Sequence, residues 1–425
     1  MLKSIWFRSI LIQFCSSLRP LLLLLFVLPL VMKYFDDSSI SNYYLFTSIV
    51  AFINVMSNSN LIVNSIGKLT EDNFGLYLFN GIFFDYLVKF FLLLVFIFIF
   101  LSYFPKRDYD IFYALILQSL FLNFDSINSS ILLIRNLLFK YIFFELVLFG
   151  SNLLIYFVMQ EIFPERFSLL CSIVISSFVL FLLQLKYIYS IWDKKKVIDK
   201  SLLRFAFLNS SNSFLNSLAI NVDRYFFYLF FIPQYYNSYS FAKQIWNNAN
   251  TLSGGMYKSL LSGGKKNFEF EVSKSIAIFY FLILLAAIGS IFFSNSFAIW
   301  YSSGKLSNFE LYLPVFMVTV LLRIIMMQDT LYLTMSSNLK LFLKYKSILS
   351  LFQILFFILI FLLNKYYSLN FDMFNLFIIS LILANLDIFL ILKFNNLKKT
   401  NHFFILEIIF TFLFIVVYYV WNFWI

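Results

Sequence analysis

The sequence predicts an all-α protein that crosses a membrane many times, and three observations carry that prediction. Apolar and aromatic residues make up 62% of the chain and charged residues only 12%, a balance no soluble domain of this size sustains. The apolar runs are mostly about 20 to 28 residues long, the length an α-helix needs to cross hydrocarbon. None of them alternates apolar with polar residues, as a membrane β-barrel would.

Taken in order, the candidate helices cover 6–33, 41–65, 75–103, 109–134, 138–160, 167–190, 203–232, 236–260, 274–300, 310–336, 345–364, 372–393 and 403–424. Lys3 and Arg8 precede the first run, which is longer than a secretory leader and lacks a small-residue cleavage site near Met32, so it reads as a retained helix. Arg19 stands in that helix beside Pro20, with Pro29 further on, where missing backbone donors permit a bend.

Charge orients the chain. With the amino terminus in the cytoplasm, the inside segments hold 21 Lys and Arg and the outside segments six: Lys33, Lys106, Arg107, Arg166, Lys305 and Lys365. Inverting the topology would reverse this bias, against the tendency of cations to stay inside. The net charge of +11 is thus mostly juxtamembrane, suited to anionic lipid headgroups. No loop is long enough to form a basic domain, which excludes a nucleic-acid partner. One histidine, His402, and two cysteines, Cys15 and Cys171, form no ligand cluster, so neither a metal nor a cofactor is expected.

The longest hydrophilic connection, carrying Asp193, Lys194, Lys195 and Lys196, follows six helices and halves the chain. The expected domains are an N-terminal lobe of helices 1–6 over 1–190, a cytoplasmic basic linker over 191–202, a C-terminal lobe of helices 7–12 over 203–395, and an additional helix within 396–425. The halves echo one another. Asn42-Tyr43-Tyr44-Leu45-Phe46 opens helix 2 and Asn237-Ser238-Tyr239-Ser240-Phe241 opens helix 8, and each precedes an Asn-rich helix ending in Ser65-Ile66-Gly67-Lys68 or Ser262-Gly263-Gly264-Lys265. Six helices is an even number, so two such repeats share one orientation in the membrane.

Polar stripes run along several helices. Helix 7 places Asn209, Asn212, Ser213, Asn216 and Asp223 on one arc with Arg224 at its rim, and helix 8 groups Lys243, Asn247, Asn250 and Gly254. Arg224 and Lys243 each lie roughly 14 Å along their helices from the turn at Pro233. A cation at a lipid-facing helix centre costs about 2.5 to 3.5 kcal/mol, so the pair is expected on a water-lined face; the competing reading is that Asp223 neutralises one cation and staples the helices. Similar arcs join Thr319, Arg323, Thr330 and Thr334 in helix 10, Gln118, Asp125 and Ser129 in helix 4, and Ser380 and Asp387 in helix 12. Lys89 has Asp85 one turn before it, the spacing of an internal ion pair.

Through about Lys393 this pattern resembles the polysaccharide-exporting branch of the MOP superfamily, in particular the Wzx-type O-antigen flippases: six plus six helices, a basic mid-chain loop, and Asn221-Val222-Asp223-Arg224 followed by Tyr239-Ser240-Phe241-Ala242. The chain departs from that family in having Ser238 where a glycine often precedes the Tyr-Ser pair.

The resemblance implies two MATE-like six-helix lobes around a central cavity. It implies a non-enzymatic function, moving an undecaprenyl-pyrophosphate-linked repeat unit across the bacterial inner membrane by alternating access, beside a polysaccharide polymerase and a chain-length regulator. On this reading Arg19, Arg224, Lys243 and Arg323 counter the pyrophosphate, and Asn209, Asn212, Asn216, Asn247 and Asn250 meet sugar hydroxyls. Asp125, Asp223 and Asp387 are the candidates for proton or sodium coupling. The rival functions are multidrug export within the same superfamily and, less favoured because the outer loops are short, a membrane polymerase or ligase.

Overall fold

In hydrocarbon every backbone N–H and C=O must find its partner inside its own segment, which leaves the α-helix as the local solution for an apolar run. The computed structural model describes residues 18, 22–56, 71–103, 108–134, 137–191, 198–263, 268–302, 304–325, 339–367 and 373–385, and among them there are helices and no strand. We number the helices α1 (Leu23–Tyr34), α2 (Asp37–Met56), α3 (Glu71–Tyr103), α4 (Tyr109–Ile134), α5 (Leu138–Gln160), α6 (Glu165–Ile191), α7 (Lys200–Phe230), α8 (Pro233–Gly263), α9 (Phe268–Ser302), α10 (Phe309–Ile325), α11 (Leu339–Tyr367) and α12 (Met373–Asn385). These twelve correspond one to one with the first twelve runs read from the sequence; the thirteenth, 403–424, lies outside the described residues.

Five of the described helices contain segments long and apolar enough to cross a membrane, in α3, α5, α6, α9 and α11. α7 and α8 are each 31 residues long, roughly 46 Å at the helical rise, and their amides and hydroxyls keep them from that group. The chain is a multi-pass membrane protein.

Local chemistry sets the helix ends. Asp36 precedes α2 and its Oδ1 accepts the backbone N–H of Ser39 at 2.9 Å; Asp199 precedes α7 and accepts that of Ser201 at 2.8 Å. Both are capping residues that satisfy donors the helix leaves open. The Ser201 hydroxyl also donates to Asp199, and these bonds hold the Asp199 carboxyl below its ordinary pKa. Pro233 begins α8, where a missing N–H costs nothing. Gly304 (φ 84°) and Asn308 (φ 60°) turn the chain from α9 into α10 in the left-handed region open to those residue types. The first turn of α1, Leu23–Val27, is a π-helix that ends two residues before Pro29. The proline ring cannot pass the carbonyl four residues earlier in a regular α-helix, and a widened turn relieves the clash.

The chain divides into two compact units, one of Leu18–Asn221 and one containing the described residues from Val222 onward, so α7 contributes to both. In the first unit α4 packs against α2, α3, α5 and α6, while α2 also packs on α3 and α5 on α6. In the second, α10 packs against α8, α9 and α12, while α8 also packs on α9 and α11 on α12. Among the described residues, adding six to the helix numbers of α2–α3, α2–α4, α3–α4, α4–α6 and α5–α6 gives the five principal pairings of the second unit, while α4 on α5 and α1 on α6 have no equally extensive counterpart; α4 and α10 are the hubs. The echoed pentapeptides hold equivalent places: Phe46 of α2 meets Phe112 of α4 with ring centroids 5.4 Å apart, and Phe241 of α8 meets Phe309 of α10 at 5.3 Å.

Small residues let the helices of the first unit approach. Ser168, Ser172 and Ser176 of α6 recur every four residues and are fully buried, a spacing that presents a smooth face to neighbouring helices. Their hydroxyls bond back to Pro164, Leu169 and Ile173 carbonyls, which removes the cost of burying them.

Candidate functional site

The densest buried polar group of the second unit lies where α7, α8 and α12 meet. Asp223 enters from α7; Tyr239 and Lys243, one turn apart on α8, face it together. The Lys243 ammonium donates to the Asp223 carboxylate, as does the Tyr239 hydroxyl, and Lys243 Nζ lies 3.3 Å from the tyrosine oxygen. Ser380 Oγ of α12 donates to Asp223 Oδ2 at 2.8 Å, and the backbone N–H of Arg224 reaches Oδ1 at 2.7 Å. Asp223, Arg224 and Lys243 are 4%, 2% and 2% exposed. Arg224 Nη2 donates to the Ser240 carbonyl at 3.2 Å.

Aromatic rings wall this group in. Tyr239 is ringed by Phe227 at 4.7 Å, Tyr312 at 5.9 Å, Phe316 at 5.9 Å and Phe377 at 5.8 Å between centroids. Further along α8, Trp246 donates its indole N–H to Thr319 Oγ1 of α10 at 2.8 Å. The Arg323 guanidinium lies over the same indole, 4.8 Å from a ring centroid. Arg224 and Arg323 both lie within electrostatic reach of Lys243, so three cations and one carboxylate gather on α7, α8 and α10.

Of the residues singled out from the sequence, the structure brings Asp223, Arg224, Lys243 and Arg323 into this one neighbourhood. Asn247 stands partly buried on α8. Asn209, Asn212 and Asn216 lie on α7 and Asn250 on α8, with side chains outside the described set; Arg19 and Asp387 also lie outside the described residues. Asp125 is elsewhere, in the first unit, where Gln184 Nε2 of α6 donates to its Oδ1 at 2.5 Å. Lys89 is fully buried and donates to the Ser119 carbonyl at 2.8 Å, with Asp85 as its electrostatic neighbour.

Sequence reasoning did not place Trp246 at the site; nor did it single out Glu145, which is 3% exposed on α5 of the first unit, away from this site. Trp246 follows Lys243 by three residues, a helical neighbour spacing that could have flagged it. Among the described residues no group of three or more His, Cys, Asp or Glu could hold a metal ion.

No protein-family model matches the chain, and no curated protein matches it in sequence. Solved structures do. The outward-facing conformation of a multidrug resistance MATE family transporter of the MOP superfamily aligns over 93% of this chain and 97% of its own, with a TM-score of 0.51 and 12% identity. A crystal structure of a MATE mutant aligns over 93% and 96%, with a TM-score of 0.61 and 10% identity. The inward-facing conformation of a multidrug resistance MATE family transporter of the same superfamily aligns over 92% and 94%, with a TM-score of 0.54 and 12% identity.

The fold is that of the MATE transporters. Such identities carry the fold alone. Within this fold Asp223 lies on α7, Lys243 on α8 and Arg323 on α10.

Proposed function

We propose that this protein is a flippase that moves an undecaprenyl-pyrophosphate-linked repeat unit of O-antigen or another surface polysaccharide across the bacterial inner membrane. The observation that carries the reading is that Lys243, paired with Asp223, has both Arg224 and Arg323 within electrostatic reach. A surplus of cations suits an anionic substrate and opposes an organic cation. The MATE fold supports a transporter rather than an enzyme.

In this reading the domains are those expected from the sequence, with helices 1–6 and 7–12 forming two lobes joined by the basic linker. Pyrophosphate and sugars lose their water only where other partners replace it, because unpaired polar groups in hydrocarbon cost several kcal/mol, roughly 2–7 each. Arg19, Arg224, Lys243 and Arg323 supply charge to the pyrophosphate, and Asn209, Asn212, Asn216, Asn247 and Asn250 supply hydrogen bonds to sugar. The prenyl chain stays in lipid while the lobes alternate access. Asp125, Asp223 and Asp387 are the places where a proton or sodium ion would act, and a polymerase with its chain-length regulator would take the product.

The second reading, a multidrug exporter, is favoured by two of the structural neighbours, which are multidrug resistance transporters. Reconstitution separates the two. Proteoliposomes holding the purified protein are expected to move a fluorescent lipid-pyrophosphate-linked oligosaccharide between leaflets. Export of organic cations with no lipid movement would transfer the protein to the multidrug class. Repeating the assay under imposed proton and sodium gradients tests coupling, and a rate indifferent to both would end that part of the reading.

A further inference from the structure

Resting on the reading of a sugar-bearing lipid pyrophosphate as cargo, we propose that Gln353 of α11 is a contact for the sugar, its side-chain amide donating to a hydroxyl oxygen and setting part of the specificity for the repeat unit. Gln353 stands midway along the membrane-crossing segment Lys344–Leu363, and an unbroken apolar run, 354–363, follows it. It is 5% exposed, and its Nε2 finds no acceptor among the described residues. Ser350, three residues earlier on the same face, is equally buried.

Two ring pairs place the amide. Phe226 of α7 meets Phe357 of α11 with centroids 5.6 Å apart, and Phe230 meets Phe361 at 5.3 Å. Both helices advance by the same four residues between these pairs, so α7 and α11 run parallel there. Gln353 precedes Phe357 by one turn, and Asp223 precedes Phe226 by three residues. This sets the amide on the side of α11 that meets α7, at the level of Asp223. The carboxylate is the obvious acceptor at that level, yet Lys243, Tyr239, Ser380 and the Arg224 backbone amide already fill it.

A buried donor without an acceptor forfeits the hydrogen bond it had in water. Leucine or methionine would occupy a similar volume without that loss, so the amide is a cost to the folded protein that a ligand oxygen recovers. A sugar hydroxyl supplies such an oxygen, and its own proton can go to Gln353 Oε1. Phosphate oxygens offer the same acceptor chemistry, but their charge draws them to the guanidinium and ammonium groups of α7, α8 and α10. The neutral amide suits the neutral sugar, and probes with and without a sugar separate the two sources.

The test measures binding to the full-length protein in detergent by calorimetry, with two probes: a short-chain prenyl pyrophosphate and the same molecule carrying one hexose. The unaltered protein binds both, the sugar-bearing probe more tightly. Gln353→Met keeps the length of the side chain and removes its donor. It weakens binding of the sugar-bearing probe about tenfold, the scale of one buried hydrogen bond, and leaves that of the bare probe within about twofold. Its thermal midpoint equals or exceeds that of the parent, because an orphan donor has gone. A protein no less stable that binds sugar more weakly is an outcome a packing role does not produce.

Gln353→Leu carries the same measurement if Gln353→Met fails to fold, and failure of both makes the amide structural and overturns the proposal. Full affinity for both probes in the variant overturns it and leaves the flippase reading standing. An equal loss on both probes moves the amide to the phosphate and overturns the assignment to sugar, as does a parent that binds the bare probe as tightly as the sugar-bearing one. A parent that binds neither probe, nor an oligosaccharide-linked prenyl pyrophosphate, overturns the proposal and the flippase reading together.

Discussion

Asp223 accepts from an ammonium, two hydroxyls and a backbone amide, and that saturation lets an ionised pair persist at 4% and 2% exposure. Two buried charges offset their desolvation only when such extra bonds complete them. Asp223→Asn leaves the Lys243 ammonium without its counter-charge and is expected to lower stability by roughly 3–5 kcal/mol, whereas the double change Asp223→Asn with Lys243→Met recovers most of that loss. Thermal unfolding in detergent reads both, and a single variant as stable as the parent would show that the pair does not hold α7 to α8. A transport assay on the double variant then separates stapling from transport.

Among the elements, α2, α4 and α6 of the first unit are tied at one end by carboxylates of unequal standing. Asp108 is fully buried and accepts from Ser39 Oγ and Asn42 Nδ2, each at 2.7 Å. Arg166 at the start of α6 grips Asp110 with two bonds, at 2.9 Å and 2.8 Å, but their side chains are 29% and 38% exposed. Solvent screens such a pair, so Asp110→Ala is expected to cost about 0–1 kcal/mol. Asp108→Ala removes the acceptor of two buried donors and should cost about 1–3 kcal/mol for each donor left unsatisfied. Unfolding midpoints of the two variants, taken side by side, rank them; an equal loss would refute the distinction.

The cap of α7 adds a pH dependence at the same scale. The Asp199 carboxyl is held below its ordinary pKa by the Ser201 hydroxyl and amide. Its contribution is complete above the ordinary carboxylate range and is lost as pH falls through the depressed folded value. Amide hydrogen exchange at Ser201 and Leu202, compared with Asp199→Asn at falling pH, should converge with the variant only in acid.

For the whole molecule, the positive-inside bias predicts which ends of the helices face the cytoplasm. With Cys15 and Cys171 first replaced by alanine, a cysteine at Lys305 is expected to react with a membrane-impermeant maleimide in intact cells. One at Asp199 should react only after the membrane is opened. The reverse pattern would invert the topology and the direction of the proposed transport.

The twelve described helices were legible because length and hydropathy are local quantities. In hydrocarbon a segment must satisfy its own backbone, and roughly 20 apolar residues announce that it does. The echo between Asn42–Phe46 and Asn237–Phe241 was legible for a related reason: both pentapeptides carry the ring that meets the hub helix, Phe46 on Phe112 and Phe241 on Phe309. The polar stripes of α7 and α8 also stood in the sequence, since a helix turns by a known angle per residue.

The partners of those stripes did not. Whether Lys243 meets water or Asp223 depends on how two helices are rotated about their axes, and Ser380 reaches Asp223 from 157 residues away. In the sequence Trp246 reads as one more apolar residue; its contacts, Thr319 at the indole N–H and Arg323 over the ring, exist only in the fold. By itself the sequence determined a helical membrane protein, its twelve described spans and the residues that could not face lipid. The tertiary structure alone decided which of those residues neutralise one another and which cation is held on a ring, because rotation and register between helices arise from packing along their whole lengths and are written in no single segment.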